Sequence, residues 1–179
     1  MLINSVAHPE DIGRAGEAPK MPKASKRLAW EDKFRRPEVA ELFSHYPSKQ
    51  LATVAEAIRN RLREFTEVQE SVQWQGTPWR WTFTYTCELD PTRAWAYLIP
   101  DPAKVQLCIP LTTPMVQSLP MRRLKKVVRD GIVYSKFVAG TYWPCWDVQS
   151  KANLDELFDL AARKHKYIHI GTEMVSGPA

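Results

Sequence analysis

Long apolar runs are missing from this sequence. No stretch of its 179 residues approaches the ~20 consecutive apolar positions that cross a bilayer, and no N-terminal run has the pattern of a secretory leader. Leu2 stands where myristoylation needs a glycine, and the last residues form no prenylation box. Cysteine is scarce: Cys87, Cys108 and Cys145 form no CxxC pair and leave an odd one over, which suits a reducing compartment better than a disulfide framework. The expectation is a cytoplasmic protein with no membrane contact. Catalytic signatures are absent too. There is no GxSxG elbow, phosphate-binding loop, GxGxxG turn or HExxH helix, so no catalytic residue, cofactor or metal is assigned from motifs.

Charge is nearly balanced. The chain carries 25 basic and 20 acidic residues for a net charge of +5, and five of the basic ones fall in residues 121–129: Arg122, Arg123, Lys125, Lys126 and Arg129. The excess is therefore a local patch, a weaker argument for nucleic acid than a uniformly basic domain. Read as one amphipathic helix with Met121, Leu124, Val127 and Val128 on its apolar side, the segment presents an ordinary solvated face. The alternative is a phosphate-backbone contact, extended by Arg80 and Arg93.

Tryptophan is abundant. Four of the seven, Trp74, Trp79, Trp81 and Trp95, lie within 22 residues. From Trp79 the odd positions run Trp79, Trp81, Phe83, Tyr85, Cys87 and the even ones Arg80, Thr82, Thr84, Thr86, Glu88, which predicts a strand with one buried aromatic face and one polar face. Trp143 and Trp146 flank Pro144 and Cys145. Each buried indole needs a partner for its N–H, so this supply exceeds what a core of this size requires. Trp74, Trp79, Trp81, Trp95, Trp143 and Trp146 are the candidate ligand-binding residues, with plain core packing as the competing reading.

Residues 1–26, with Pro9, Pro19 and Pro22 and no periodicity, read as a disordered or loosely attached tail. A single domain is expected over 27–170 and a short tail over 171–179. A helix is predicted from Pro37 as its first residue, with Val39, Leu42, Phe43 and Tyr46 on one stripe, ending at Pro47. Ser48 caps a longer helix whose apolar residues Leu51, Val54, Ala55, Ile58, Leu62 and Phe65 follow the helical period. An extended run at 68–74, the aromatic strand, and strands at 93–99 and 104–109 are separated by turns at Gly76-Thr77-Pro78, Leu89–Thr92 and Asp101-Pro102. They form an antiparallel meander. Pro114 and Pro120 bracket a short helical turn, Asp130-Gly131 ends the basic helix, and 132–148 is extended, with Pro144 suggesting an edge strand. A last helix spans about 153–165 and buries Leu154, Leu157, Phe158, Ala161 and Ala162. The fold class is α+β, with helices packed on one face of the meander.

His165 and His169 are spaced i, i+4, as metal ligands can be, but no third ligand stands near them in sequence. The competing reading is a cation near a helix C-terminus. A small hydrolase or transferase using Cys145 or His165 is a further alternative.

The two early helices followed by Glu70, Trp74, Gln75, Gly76 and Pro78 entering a strand resemble the YdhG-like bacterial domains of unknown function, over roughly residues 37–165. Gln75 is an insertion relative to that family's Trp-Gly-x-Pro run. The later order of strands, an arginine-bearing segment at Arg122 and Arg123, and a C-terminal helix also agrees. The resemblance implies an α+β fold, a cytoplasmic setting and an uncharacterised function. Some members have been likened to frataxin-type iron-handling proteins, which use an acidic ridge along the first helices. Here Glu38, Glu41, Glu56 and Glu64 are interspersed with Arg59, Arg61 and Arg63, which works against such a ridge. The leading expectation is a non-enzymatic module that binds a small ligand or a partner protein through its aromatic sheet region.

Overall fold

The computed structural model describes residues 28–175, so the tail expected at 1–26 lies outside the described residues. Helix α1 (Val39–Ser44) is started by Glu38 and not by Pro37: the Glu38 side chain accepts from the third helical residue, and Glu41 accepts from the Glu38 N–H at 2.9 Å. This reciprocal cap fixes the first helical residue at Val39, two residues later than proline alone suggests. Helix α2 (Lys49–Arg63) opens as its sequence predicts, with the Ser48 hydroxyl accepting from the Leu51 N–H at 3.1 Å, and it buries Val54, Ala55, Ile58 and Leu62.

Strands β1 (Val68–Trp74), β2 (Trp81–Cys87), β3 (Asp90–Asp101) and β4 (Lys104–Cys108) form the antiparallel meander. Cys87 pairs with Asp90, so the turn is tighter and earlier than Leu89–Thr92. The chain then leaves this sheet. It forms β5 (Leu111–Thr112), β6 (Lys136–Val138) and β7 (Thr141–Trp143), a small sheet in the order β5-β7-β6, and returns as β8 (Cys145–Asp147) beside β4. Pro144 lies at that return, where its missing N–H breaks no ladder.

One row of side chains crosses all five strands of the main sheet: Val72, Phe83, Leu98, Leu107 and Trp146, every one buried. This is the helix-covered face. Phe43 of α1 stacks on Phe83 with ring centroids 5.6 Å apart, and the Arg59 guanidinium of α2 lies 5.6 Å over the same ring. Arg59 also grips both oxygens of Glu70, at 2.7 Å and 2.9 Å, and the buried Tyr85 hydroxyl donates to Glu70 at 2.9 Å. One carboxylate thereby joins α2, β1 and β2.

The opposite face is not the solvated polar face that alternation predicts, because Thr82 and Thr84 are buried. A single backbone feature causes this. Arg80 adopts a left-handed backbone (φ 52), which breaks the alternation between Trp79 and Trp81. Trp79 consequently falls on the threonine face, packing 5.0 Å from Tyr97 and 6.1 Å from Trp143. Beneath that cover the hydroxyls stay satisfied: Thr82 donates to the Trp79 carbonyl and Thr84 accepts from Gln75.

The basic segment is not one helix. A 3-10 turn spans Met121–Arg123, Leu124 and Lys125 are extended, and α4 (Lys126–Val133) begins afresh. Short helix α3 (Thr113–Ser118) precedes it, as Pro114 and Pro120 indicate. Asp130-Gly131 does not end α4. Gly131 sits inside it because the Trp146 indole lies directly against its Cα, where a Cβ would overlap the ring, and Trp146 donates to the Val127 carbonyl at 3.1 Å. The last helix, α5 (Leu154–Val175), is longer than its early stripe predicts and overruns the tail expected from 171. Its buried face carries Leu157, Leu160, Ala161 and Lys164, and Ala162 is exposed.

Gly131→Ala gains about 1 kcal/mol of helix propensity yet forces the Trp146 ring to move. A net loss of roughly 1–3 kcal/mol is expected in urea denaturation, recovered in large part when Trp146 is also trimmed to phenylalanine.

Candidate functional site

Lys164 is the side chain on which the site is built. It occupies the apolar stripe of α5, and its ammonium donates to the carbonyls of Trp95 at 2.6 Å, Pro110 at 2.5 Å and Ala94 at 3.4 Å. These carbonyls are available for a local reason. Tyr85 pairs with Ala96 and Thr86 with Ala94, so Trp95 is an extra residue on β3, a bulge without a partner across the ladder. Pro110 lies in the step from β4 to β5. Three N–H donors meet three carbonyls, with no carboxylate in ion-pair contact among the described residues. Burial pushes the Lys164 ammonium down to about 7, against the opposing pull of Cys108, Asp90 and Cys87.

Above this lysine a cleft of about 320 Å³ opens between the first half of β3, the small sheet and α5. Trp95, Tyr97, Trp143, Met115 and Tyr167 give it apolar walls, and Asp90, Thr92, Arg93, Thr112 and Thr141 supply polar groups. Tyr97 and Trp143 stack at 6.2 Å with ring planes 30° apart. Burial raises the Tyr97 phenol above its ordinary range. Thr92 donates to Asp90 at 2.9 Å, whereas the exposed Arg93 makes no hydrogen bond or ion pair among the described residues.

The six tryptophans are divided by the fold. Trp95 and Trp143 line the cleft, and Trp79 backs its Tyr97–Trp143 wall. Trp74 and Trp81 pack edge to face at 5.8 Å, with the Trp81 N–H donating to the Asp32 carbonyl at 2.7 Å. Trp146 belongs to the helix-covered core. The Trp95 indole N–H is buried with no acceptor among the described residues.

The basic residues do not share one helix face. Arg122 and Arg123 lie on the 3-10 turn, Lys125 pairs with Glu156, Arg129 lies 3.7 Å from Asp130, and Arg80 pairs with Glu31 while covering Trp30. Cys145 faces Cys108 across β8 and β4. Their thiols are hydrogen-bonded, which lowers Cys145 and raises Cys108, and no histidine of the described residues joins them. His165 and His169 lie within α5 and not at its end, and Cys87 of β2 comes beside both.

No protein-family model matches the chain, and no curated protein does. Lys164 and Cys87 escape a motif reading. A lysine one turn beyond Ala161, on a stripe otherwise apolar, is the legible trace of the first. The second has none, because only pairing brings β2 under α5.

Lys164→Met keeps the bulk of the side chain and leaves buried carbonyls without donors, at about 1–3 kcal/mol for each strongly held one. Urea denaturation of this variant is expected to show a loss of that order, and unchanged stability would contradict the reading of Lys164 as a clamp.

Proposed function

We propose that the protein is a non-enzymatic binding module whose cleft takes a small organic anion built on a flat ring. The observation that carries this reading is the pairing of aromatic walls with cationic groups that form no ion pair with a carboxylate among the described residues: the Arg93 guanidinium and the buried Lys164. A cleft of about 320 Å³ is at the small end of ligand sites, which fits one or two fused rings with an acidic substituent. Trp143 and Tyr97 offer the ring a stacking surface, and Arg93 offers the anion paired donors. An enzymatic reading has less support. Lys164 has its donors committed to backbone carbonyls, and the hydrogen-bond partner of Cys145 is another thiol, with no histidine among the described residues beside it. Three free thiols favour a cytoplasmic setting, and a YdhG-like membership is compatible with such a module.

Ligand-observed NMR with indole- and naphthalene-carboxylates, their neutral amides and aliphatic acids tests this. The aromatic acids should bind best. Arg93→Gln and Trp143→Ala should each weaken them by about 1–2 kcal/mol, roughly tenfold in Kd, with little change in melting temperature for the exposed Arg93→Gln and a lower one for Trp143→Ala, which also loses its packing on Tyr97 and Trp79. Equal binding of the neutral amides, or indifference to both substitutions, would overturn the reading.

A further inference from the structure

A second cluster lies on the other flank of Trp95, whose ring centroid is 6.1 Å from that of His165. Four ligand-type side chains converge there from three elements. His165 and His169 project from the same side of α5, and their Nε2 atoms are 3.2 Å apart. Cys87, buried at the end of β2, brings its sulfur to both rings, so that one ligand atom from each of the three residues lies within 4.8 Å of the others. Glu67, in the turn between α2 and β1, places a carboxylate oxygen 3.2 Å from His169 Nε2.

The spacing is that of a coordination shell. Nitrogen and oxygen ligands about 2.0–2.1 Å from a tetrahedral zinc ion lie about 3.3 Å from one another, and a thiolate sulfur about 3.6 Å from each. The separations of His169 from His165 and from Glu67 already have this value, and the Glu67 carboxylate, which is outside the 4.8 Å grouping of the other three, has to swing in to complete the shell. Cys87 needs to move by about an ångström at most to reach it.

Ring protons alone do not explain the arrangement. His165 Nε2 also lies 2.8 Å from the Thr66 carbonyl. If both Nε2 atoms carry protons, two donors face each other. If His165 lacks one, its lone pair faces the carbonyl, and if His169 lacks one, its lone pair faces the Glu67 carboxylate. Every neutral assignment therefore leaves one contact between like groups. A cation between the two nitrogens replaces the protons and matches every lone pair directed at it. The backbone at Glu67 points the same way: its φ of 60 places a non-glycine residue in the left-handed region, a conformation held at a cost where a side chain must be aimed.

We infer that Cys87, His165, His169 and Glu67 form a binding site for a divalent transition metal of borderline softness, zinc foremost. One thiolate and two imidazoles disfavour calcium and magnesium, and four protein ligands make the site closed and structural. The ion ties α5 to β2 and to the α2–β1 turn. This inference is independent of the cleft's proposed ligand.

The test is a Co2+ titration of the chelator-washed full chain, followed by displacement with Zn2+. Binding of a single equivalent is expected, with the visible bands of tetrahedral cobalt and a near-ultraviolet thiolate-to-cobalt band, both lost as Zn2+ displaces it. Cys87→Ser should remove the thiolate band. His169→Asn, at a half-buried position and so tolerated by the fold, should weaken binding by roughly 100-fold or more, beyond the 10–100-fold of an outer-shell change. Zn2+ should raise the melting temperature of the wild type and not of His169→Asn. No binding of either ion, octahedral cobalt without a thiolate band, or affinity unchanged in both variants would overturn the inference. Aromatic-acid binding by His169→Asn reports on the cleft separately, so the two readings fail independently.

Discussion

The Lys164 ammonium is the constraint on which the site depends. A buried cation is costly unless its donors are matched, and here the lysine of α5 is matched by backbone from two places: the bulged stretch of β3 at Ala94 and Trp95, and the step out of β4 at Pro110. The bulge would otherwise leave the Trp95 carbonyl outside the ladder. The lysine converts that irregularity into an anchor, and α5 is held in a single rotational setting against the sheet.

Two consequences follow from the setting of α5. Its next residue, His165, and the one a turn later, His169, are brought to Cys87. Toward the other side Tyr167 and Ile168 become a wall of the cleft. The bulge meanwhile turns Trp95 toward Phe65 and His165, with ring centroids 4.8 Å and 6.1 Å away, so that one indole separates the two clusters. The chain reaches the small sheet through Pro110 and returns through Pro144, whose carbonyl accepts from Ile109 at 3.2 Å. That excursion places Trp143 over Tyr97 and buries the threonine face of β2.

Periodic segments were legible in the sequence. The Ser48-capped helix, the meander and the overall α+β class follow from spacing and turn residues that agree with one another. Departures occur where one residue overrides a period. Arg80's left-handed backbone sends Trp79 to the other face, and Trp146 resting on Gly131 turns an expected helix stop into a helix interior. The extended Leu124 and Lys125 cut a nine-residue basic run into two elements. The site was less legible because it is made by pairing between distant segments. Trp95 and Trp143 were named for their aromatic surplus, and His165 and His169 for their spacing. Alternation already put Trp81 on the buried face, but nothing local tells that Trp146 serves the core, or that Cys87 completes the histidine pair.

The measurement closest to the centre of this account is amide hydrogen exchange of wild type against Lys164→Met under native conditions. If Lys164 joins β3 to α5, protection should fall together at residues 94–97 and 161–169, while α1 and the β1–β2 pairing keep theirs. Protection unchanged in both segments, or lost in α5 alone with the bulge as protected as before, would contradict it.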